Sequence, residues 1–502
     1  MTSDDFNIVL EKEKNTALPK LADINVAVVM DSFSYNSYKM EFNAFCLEPD
    51  SWLDVFEENE IDLFFCESAW HGVGKSNIIN NVAVENIDSP WEHKITYINR
   101  DKEKTLLKII EYCNENDIPT VFWNKEDPKS FDIFVDAALN FDYIFTSDYD
   151  SVKKYLVRGH ENVHPLLFAS QIKHFNPIQN KERSKDIIFA GSWYGYDFPQ
   201  RCALMKEMFN KIIESGYNLK IYDRNSKISD KNPSWKYPDE YDEFINPSVS
   251  FDNMDEVYKE SKYSLNINSI TNSPTMFARR VFELMSSNTY VISNYSRGVY
   301  DLFGNNVYYL DKEESLDLNQ QEVERVCEEN LYNVLKNHNY TQRFKYILNV
   351  IGFEYDESVE NVYVIYTDDS YDAVKQDFDK ISYNHKKCLM ITSNPDLTKD
   401  EKDEKIQIIN QDDLMNLADS FDGDDYFIIR DLKKDINQKF VDKAVLHYKY
   451  LNKDYLIEEN ANKYILNTTT KYENRLFSNN NFKRIIFSML NDKKEEYTVY
   501  SI

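Results

Sequence analysis

The chain has 502 residues, 42% of them apolar and 15% aromatic, enough to build about two to four domains with sizeable cores. Its 58 basic and 86 acidic residues give a formal charge of −28, which argues against a nucleic-acid partner, because neutralising phosphates requires a basic face. No run of about 18 apolar residues is present, so no membrane span is expected. The acidic start MTSDDFNIVLEKEKN lacks the order of a signal peptide, and six scattered Cys form neither a disulfide framework nor a zinc-ligand spacing. A cytoplasmic protein is expected, with peripheral attachment to the inner face of the cell membrane left open. The acidic surface reads as a solubility device, within which a local basic cleft would take an anionic small molecule.

In chain order, INVAVVM (24–30) is a β-rich run, SWLDVFEENE (51–60) a helix and IDLFFCES (61–68) the next strand. TLLKIIEYCNEN places Leu106, Leu107, Ile109, Ile110 and Cys113 on one helical stripe. Strands PTVFWN, DYIFTSD and VHPLLFA then alternate with helices FDIFVDAALN and SVKKYLVRG. Strands apolar on both faces, alternating with helices, imply a parallel, doubly wound sheet. The polar stretch SQIKHFNPIQNKERSK (170–185) interrupts the order, and a second alternation starts at DIIFAGSW. Its first helix, RCALMKEMFNKIIESG, pairs Leu204/Met205, Met208/Phe209 and Ile212/Ile213 and stops at Gly216. NLKIYD, YSLNINS, YVISN and NNVYYLD are further strands, and MDEVYKESK, FARRVFELMSSN and QQEVERVCEENLYNVLKNH are helices. A smaller α/β block follows near residue 361, with strands NVYVIYTDD, KKCLMITSN and EKIQIIN and helices SYDAVKQDFDKIS and QDDLMNLADSF. The expected division is 1–180 and 181–345, two tandem Rossmann-like domains, then 346–502.

AWHGVGKSN (69–77) satisfies the loose phosphate-loop pattern after an apolar strand. A phosphate loop runs straight into an amphipathic helix, whereas NIINNVAVENIDSPWEH follows here, a poor helix with four Asn, β-branched residues and a Pro. The better reading is a polar loop at the carboxyl end of a parallel strand, where ligand crevices of open α/β sheets lie. Glu67, Trp70 and His71 would face that crevice, unless His71 only bonds loop backbone. FWNKEDP (122–128) ends a neighbouring strand and brings Asn124, Glu126 and Asp127 to the same place. Its carboxylates suit general-base work or holding hydroxyls, or else cap the following helix.

FELMSSNTYVIS (282–293) resembles the E-A-M-A-x-G-x-P-V-I segment of GT-B glycosyltransferases, and RRVFELMSSN resembles the CgeB-like branch of spore-maturation and teichoic-acid type. With ESAW, FWNKEDP, FTSD and FAGSWY…R, the resemblance covers about residues 20–340. It implies an acceptor-binding first domain and a second domain that binds a nucleoside-diphosphate sugar, with transfer in the cleft between them. The product would be a cell-surface polysaccharide, a teichoic acid or a precursor, so the acceptor is a glycan or polyol phosphate. Glu283 would then bind ribose or sugar hydroxyls, and Arg280, one turn earlier, a phosphate, unless the two form an ordinary ion pair. Gly191, Ser192 and Arg201 in GSWYGYDFPQR, and Asn268 at the end of YSLNINS, complete the expected donor site.

The acid that retaining relatives carry eight positions before that Glu is Thr275 here, and their glycine is Asn288, so stereochemistry stays open. Candidate bases are Glu67, His71, Glu126 and Asp127, with the lean towards Asp127 or His71. The last block resembles a degenerate GT-A domain whose Asp-x-Asp site reads Asp431-Leu432-Lys433, which opposes a divalent cation. No metal or cofactor is expected. A nucleotide-sugar or glycan-binding protein that keeps the architecture without catalysis is the alternative.

Overall fold

The structure, a computed structural model, describes residues 18–502 apart from 81, 85–87, 227–232, 369, 393–404, 411–413, 415–416, 418–419 and 492. The chain forms two compact units. One comprises Leu18–Asn176 with Lys181–Asp356, and the other Pro177–Asn180 with Glu357–Ile502.

The first unit holds two parallel sheets. In the first, β1 (Asn25–Val29), β2 (Asn43–Cys46), β3 (Leu63–Glu67), β6 (Thr120–Asn124), β7 (Tyr143–Thr146) and β8 (Val163–Pro165) lie in the order β2-β1-β3-β6-β7-β8. A separate hairpin pairs β4 (Ile78–Ile79) with β5 (Val82–Ala83). In the second sheet, β9 (Ser184–Gly191), β10 (Leu219–Asp223), β11 (Ile245–Asn246), β12 (Ser261–Asn266), β13 (Tyr290–Ser293) and β14 (Tyr308–Tyr309) lie in the order β11-β10-β9-β12-β13-β14. This is the doubly wound order whose direction reverses between its first and fourth strands. The reversal falls between β9 and β12, and in the first sheet between β1 and β3. Alternate residues of each strand enter different cores: Val26 and Val28 one layer, Ala27 and Val29 the other. That two-sided burial is why the strands read as unbroken apolar runs.

Eleven described helices cover these sheets: α1 (Ser32–Tyr38), α2 (Trp52–Glu58), α3 (Thr105–Glu115), α4 (Phe131–Ala138), α5 (Tyr149–Val157), α6 (Pro199–Glu214), α7 (Met254–Glu260), α8 (Arg280–Ser286), α9 (Arg297–Phe303), α10 (Gln320–Asn337) and α11 (Tyr340–Ile351). Helix α1 was not expected from SFSYNSY, whose Ser and Asn favour turns over helix interiors. It forms because all its residues but Phe33 are buried, and because the Asn36 amide exchanges two bonds with Ala83 backbone, at 2.8 and 2.9 Å. Helix α11 returns to the first sheet's lobe. There Tyr340 packs on Tyr38 and Phe344 on Phe42, each with centroids 4.7 Å apart. Arg343 donates to the Leu167 and Phe168 carbonyls beneath it.

The second unit is built on one mixed sheet. Its strands are β15 (Val362–Tyr366), β16 (Lys386–Ile391), β17 (Ile406–Ile409), β18 (Tyr426–Arg430), β19 (Leu456–Glu458), β20 (Leu466–Thr469), β21 (Leu476–Ser478) and β22 (Tyr497–Ser501), ordered β17-β16-β15-β18-β21-β19-β22-β20. The first four are parallel, and antiparallel pairing begins at β18–β21. Helix α12 (Tyr371–Lys380) is present as read, while most of QDDLMNLADSF lies outside the described residues. At the end of β18, Arg430 grips Asp377 with two nitrogens, at 2.7 and 2.9 Å. The Asp431 carboxylate beside it accepts the Lys433 N–H at 3.0 Å and faces Lys434 at 3.6 Å.

Candidate functional site

The first lobe's contribution gathers where its strand order reverses. Asp31 follows β1, and its carboxylate accepts the backbone N–H groups of Trp70, His71 and Gly72 at 3.1, 3.0 and 2.9 Å. The loop that mimics a phosphate-binding sequence therefore wraps a carboxylate of its own chain. Lys75 opens only a three-residue 3-10 turn (Lys75–Asn77), which leads into the β4–β5 hairpin. The side chain of Lys75 is exposed, and its N–H donates to Glu48 at 2.7 Å.

Lys125, 3% exposed, lies 2.7 Å from Asp31, 3.4 Å from Glu67 and 3.7 Å from Glu126. Asp31 is lowered to about 2, because Lys125 and the loop N–H groups outweigh its burial. Glu67 is pushed up to about 7 by full burial, which the Lys125 charge only partly offsets. Its Oε1 accepts the Asp31 N–H at 2.5 Å, and its Oε2 has no hydrogen-bond partner among the described residues. Of the three carboxylates around Lys125, Glu126 is the most open, with 31% of its side chain exposed.

Two expectations, those for Asp127 and Asn124, are corrected here. Asp127 is fully buried: its oxygens accept from Asn124 at 3.0 Å, Thr146 at 2.6 Å and Tyr155 at 3.0 Å. Burial raises it to about 7, but it faces the strand–helix interior rather than the crevice. Asn124 is equally interior, its amide donating to Asp127 and Tyr155, so it does not present itself to an acceptor. His71 is exposed and meets Ser89 at 3.3 Å. The Trp70 ring packs edge-on against Phe134 of α4, on the sheet's other layer.

The second lobe's contribution gathers at its own reversal. Beyond β9, Gly191 carbonyl accepts the Tyr237 hydroxyl and Ser192 carbonyl accepts Arg201 Nη1 at 2.7 Å. Ser192 Oγ is buried with no partner among the described residues. The next turn passes so close to Ser234 that a Cβ on Gly195, at φ +49°, would lie 2.0 Å from the Ser234 carbonyl oxygen. Arg201 is half-buried in the first turn of α6, and its guanidinium is pushed down by burial and by the nearby Arg280. Arg280 Nε is buried without a hydrogen-bond partner, and neither arginine has a carboxylate partner among the described residues. Its guanidinium lies 5.6 Å from the Phe189 ring centroid.

Glu283 is 3% exposed, but it pairs with Arg279 at 3.1 Å rather than with Arg280, and its Oε2 accepts the Tyr258 hydroxyl at 3.2 Å. One turn of helix offers both partners, and packing selects i, i+4 over i, i+3. Asn268 is a brace. Its side-chain oxygen accepts the Ala278 N–H, its amide nitrogen donates to Ser293 Oγ and its own backbone N–H reaches Asn294, so it shapes the loop before α8.

The two lobes meet through Phe33. Its ring carries Lys125 Nζ of the first lobe at 4.8 Å and the Arg279 guanidinium of the second at 4.2 Å, a cation–π contact from each side of the cleft. Thr275 accepts the Tyr149 N–H and donates to the Ser147 carbonyl, both at 2.8 Å, and Ser273 bonds Asp148 at 2.6 Å. Residues 147 to 149 thus border the second lobe, as does Lys129, whose ammonium lies 3.6 Å from the Phe198 ring centroid, three residues after the partly exposed Glu126.

Residues 204–349 match a family model described as glycosyl transferase-like. The match contains Asn268, Arg279, Arg280 and Glu283, and begins just after Arg201. No curated protein matches the chain. Among solved structures, it is similar to alpha-glucosyltransferase in complex with UDP (11% identity, TM-score 0.43, covering 66% of this chain and 100% of that one). It is similar also to a glycosyltransferase from Rickettsia africae ESF-5 (12%, 0.40, 66% and 98%). A third is an S. aureus TarM variant with Fondaparinux, alpha-GlcNAc-glycerol and UDP (12%, 0.33, 62% and 55%), of which the chain spans about half the length.

Sequence reasoning passed over Asp31, Phe33, Lys125, Arg279 and Tyr258. Lys125 stands inside FWNKEDP and Asp31 directly follows INVAVVM, so the carboxyl-end rule that selected their neighbours also pointed at them.

Proposed function

We propose that this chain is a glycosyltransferase that moves a sugar from a nucleoside-diphosphate sugar to a cell-surface polysaccharide, teichoic acid or precursor, in the cleft between the two parallel-sheet lobes. The observation that carries this reading is Arg201 beside Arg280 at the second sheet's reversal, with no carboxylate partner among the described residues. Holding two cations together away from water costs several kcal/mol, which an incoming dianion offsets. The arginines supply the countercharge for the diphosphate, so the reading needs no metal. Glu283, whose Oε2 is held by the Tyr258 hydroxyl, accepts from the ribose hydroxyls. Across the cleft, Glu126 takes the proton of the acceptor hydroxyl, and Lys125 with Asp31 and Glu67 forms the charged floor below it.

Isothermal titration with UDP and GDP tests the donor half. Arg201→Ala and Arg280→Ala should each weaken binding by about 1.5–3 kcal/mol, the range for hydrogen bonds to charged groups. Unchanged affinity in both folded variants puts the donor elsewhere. Turnover tests the rest. A panel of nucleotide sugars should slowly release the nucleoside diphosphate, and Glu126→Gln should lower transfer by about 10²–10⁴-fold. Binding without any release would instead support a non-catalytic sugar-nucleotide protein. A Glu126→Gln enzyme within about tenfold of wild type would assign the proton to the leaving phosphate.

A further inference from the structure

At the outer edge of the second sheet, Tyr295 follows β13, Tyr308 and Tyr309 form β14, and Tyr300 lies on α9. The rings of Tyr295, Tyr300 and Tyr309 form a triangle with centroids 5.7, 5.7 and 6.1 Å apart, tilted by 43° to 57°. They line a cavity of about 660 Å³ together with Asn305, Lys312 and Glu313. Tyr300 is 44% exposed. Tyr308 and Tyr309 use their hydroxyls on Ser315 and Gly304 carbonyls. Those of Tyr295 and Tyr300 have no hydrogen-bond partner among the described residues.

We propose that this tyrosine cavity is a saccharide-binding subsite, separate from the transfer cleft, that holds a sugar unit of the acceptor chain. A pyranose presents a C–H face for a tyrosine ring to cover and hydroxyls at its edge for the phenol, amide and ammonium groups at the rim. Tyrosine is suited to both, being apolar in body and polar at its tip. Its volume falls within the range of small-molecule sites. Rings tilted by 43° or more make no parallel slot that would sandwich a nucleobase on both faces. A cationic ligand is opposed by Lys312, whose ammonium already lies 5.3 Å from the Tyr295 ring centroid. Asn294 ties the cluster to the donor loop through reciprocal bonds with Asn268 backbone, at 2.8 and 3.2 Å. The saccharide-binding claim stands by itself, and only its identification with the acceptor rests on the transfer reading.

The test is a printed array of defined oligosaccharides probed with the full chain, as wild type, Tyr295→Ala, Tyr300→Ala and Tyr300→Phe. The wild type should retain at least one glycan. Both alanine variants should lose that retention by tenfold or more, and Tyr300→Phe, which keeps the ring, should stay within a few-fold. Melting temperature and UDP affinity should be unchanged in all three, since neither residue touches the donor arginines. Retention of no glycan by the wild type, or equal retention by the alanine variants, overturns the subsite. Loss of glycan in the tyrosine variants of a protein that turns over no donor keeps the subsite and sinks the transfer reading instead.

Discussion

Replacing Asp31 with Asn should cost the parallel-sheet unit about 3 kcal/mol at neutral pH. The carboxylate accepts three loop N–H groups and lies 2.7 Å from Lys125. Its fall from 3.8 to about 2 in the folded protein is equivalent to about 2.5 kcal/mol. Breaking a buried pair costs about 3–5 kcal/mol, because the partner charge is left uncompensated. Here Glu67 and Glu126 still face Lys125, so the low end applies. Urea unfolding followed by tryptophan fluorescence reads this unit alone, since all 6 Trp fall between positions 52 and 235. The pH profile supplies a second signature. A folded-state value below the unfolded one gives stability that is present above about pH 4 and is lost as pH falls through 2. The wild-type and Asp31→Asn curves should therefore separate above pH 4 and converge towards pH 2. A difference under about 1 kcal/mol at pH 7, or one that persists at pH 2, would refute the placement of this charge.

Asp127→Asn should act on stability and leave transfer within about tenfold of wild type, because the carboxylate serves Asn124, Thr146 and Tyr155 rather than the cleft. Weakening two or three buried bonds should cost about 1–3 kcal/mol, read by the same fluorescence titration; a large loss of turnover in a protein of normal stability would return Asp127 to the chemistry. Lys75→Ala should leave nucleotide-sugar turnover within several-fold, since Lys75 is exposed and the loop's amides already hold Asp31. A stoichiometric, Mg²⁺-dependent ATP complex abolished by Lys75→Ala would contradict this.

The strand and helix alternation was legible in the sequence because parallel strands are apolar on both faces and helices such as α3 and α6 carry a one-sided stripe. The same pattern names where a site would sit, since in such sheets crevices open beyond the strand ends. Glu67 ends β3 and Glu126 lies just past β6, while Arg201 and Arg280 stand in the first turns of α6 and α8. What the sequence could not decide is which polar group turns inward. Asp127 and Glu126 are neighbours in one loop, yet one is buried in a hydrogen-bonded knot and the other keeps part of its side chain exposed. The choice depends on Thr146 and Tyr155, which reach the loop only when β7 and α5 pack beside it. Arg279 and Arg280 are adjacent in the chain, and the phase of α8 against Phe33 and Phe189 sends one to Glu283 and the other towards Arg201. Helix α1 stayed hidden because its Ser and Asn carry little helical preference, and burial with the Ala83 backbone bonds supplies what propensity lacks. Local pattern reports which faces are apolar. The partners of buried charges come from segments far apart in the chain, as when Asp31 meets Lys125 and the loop at 70–72, and only folding brings those together.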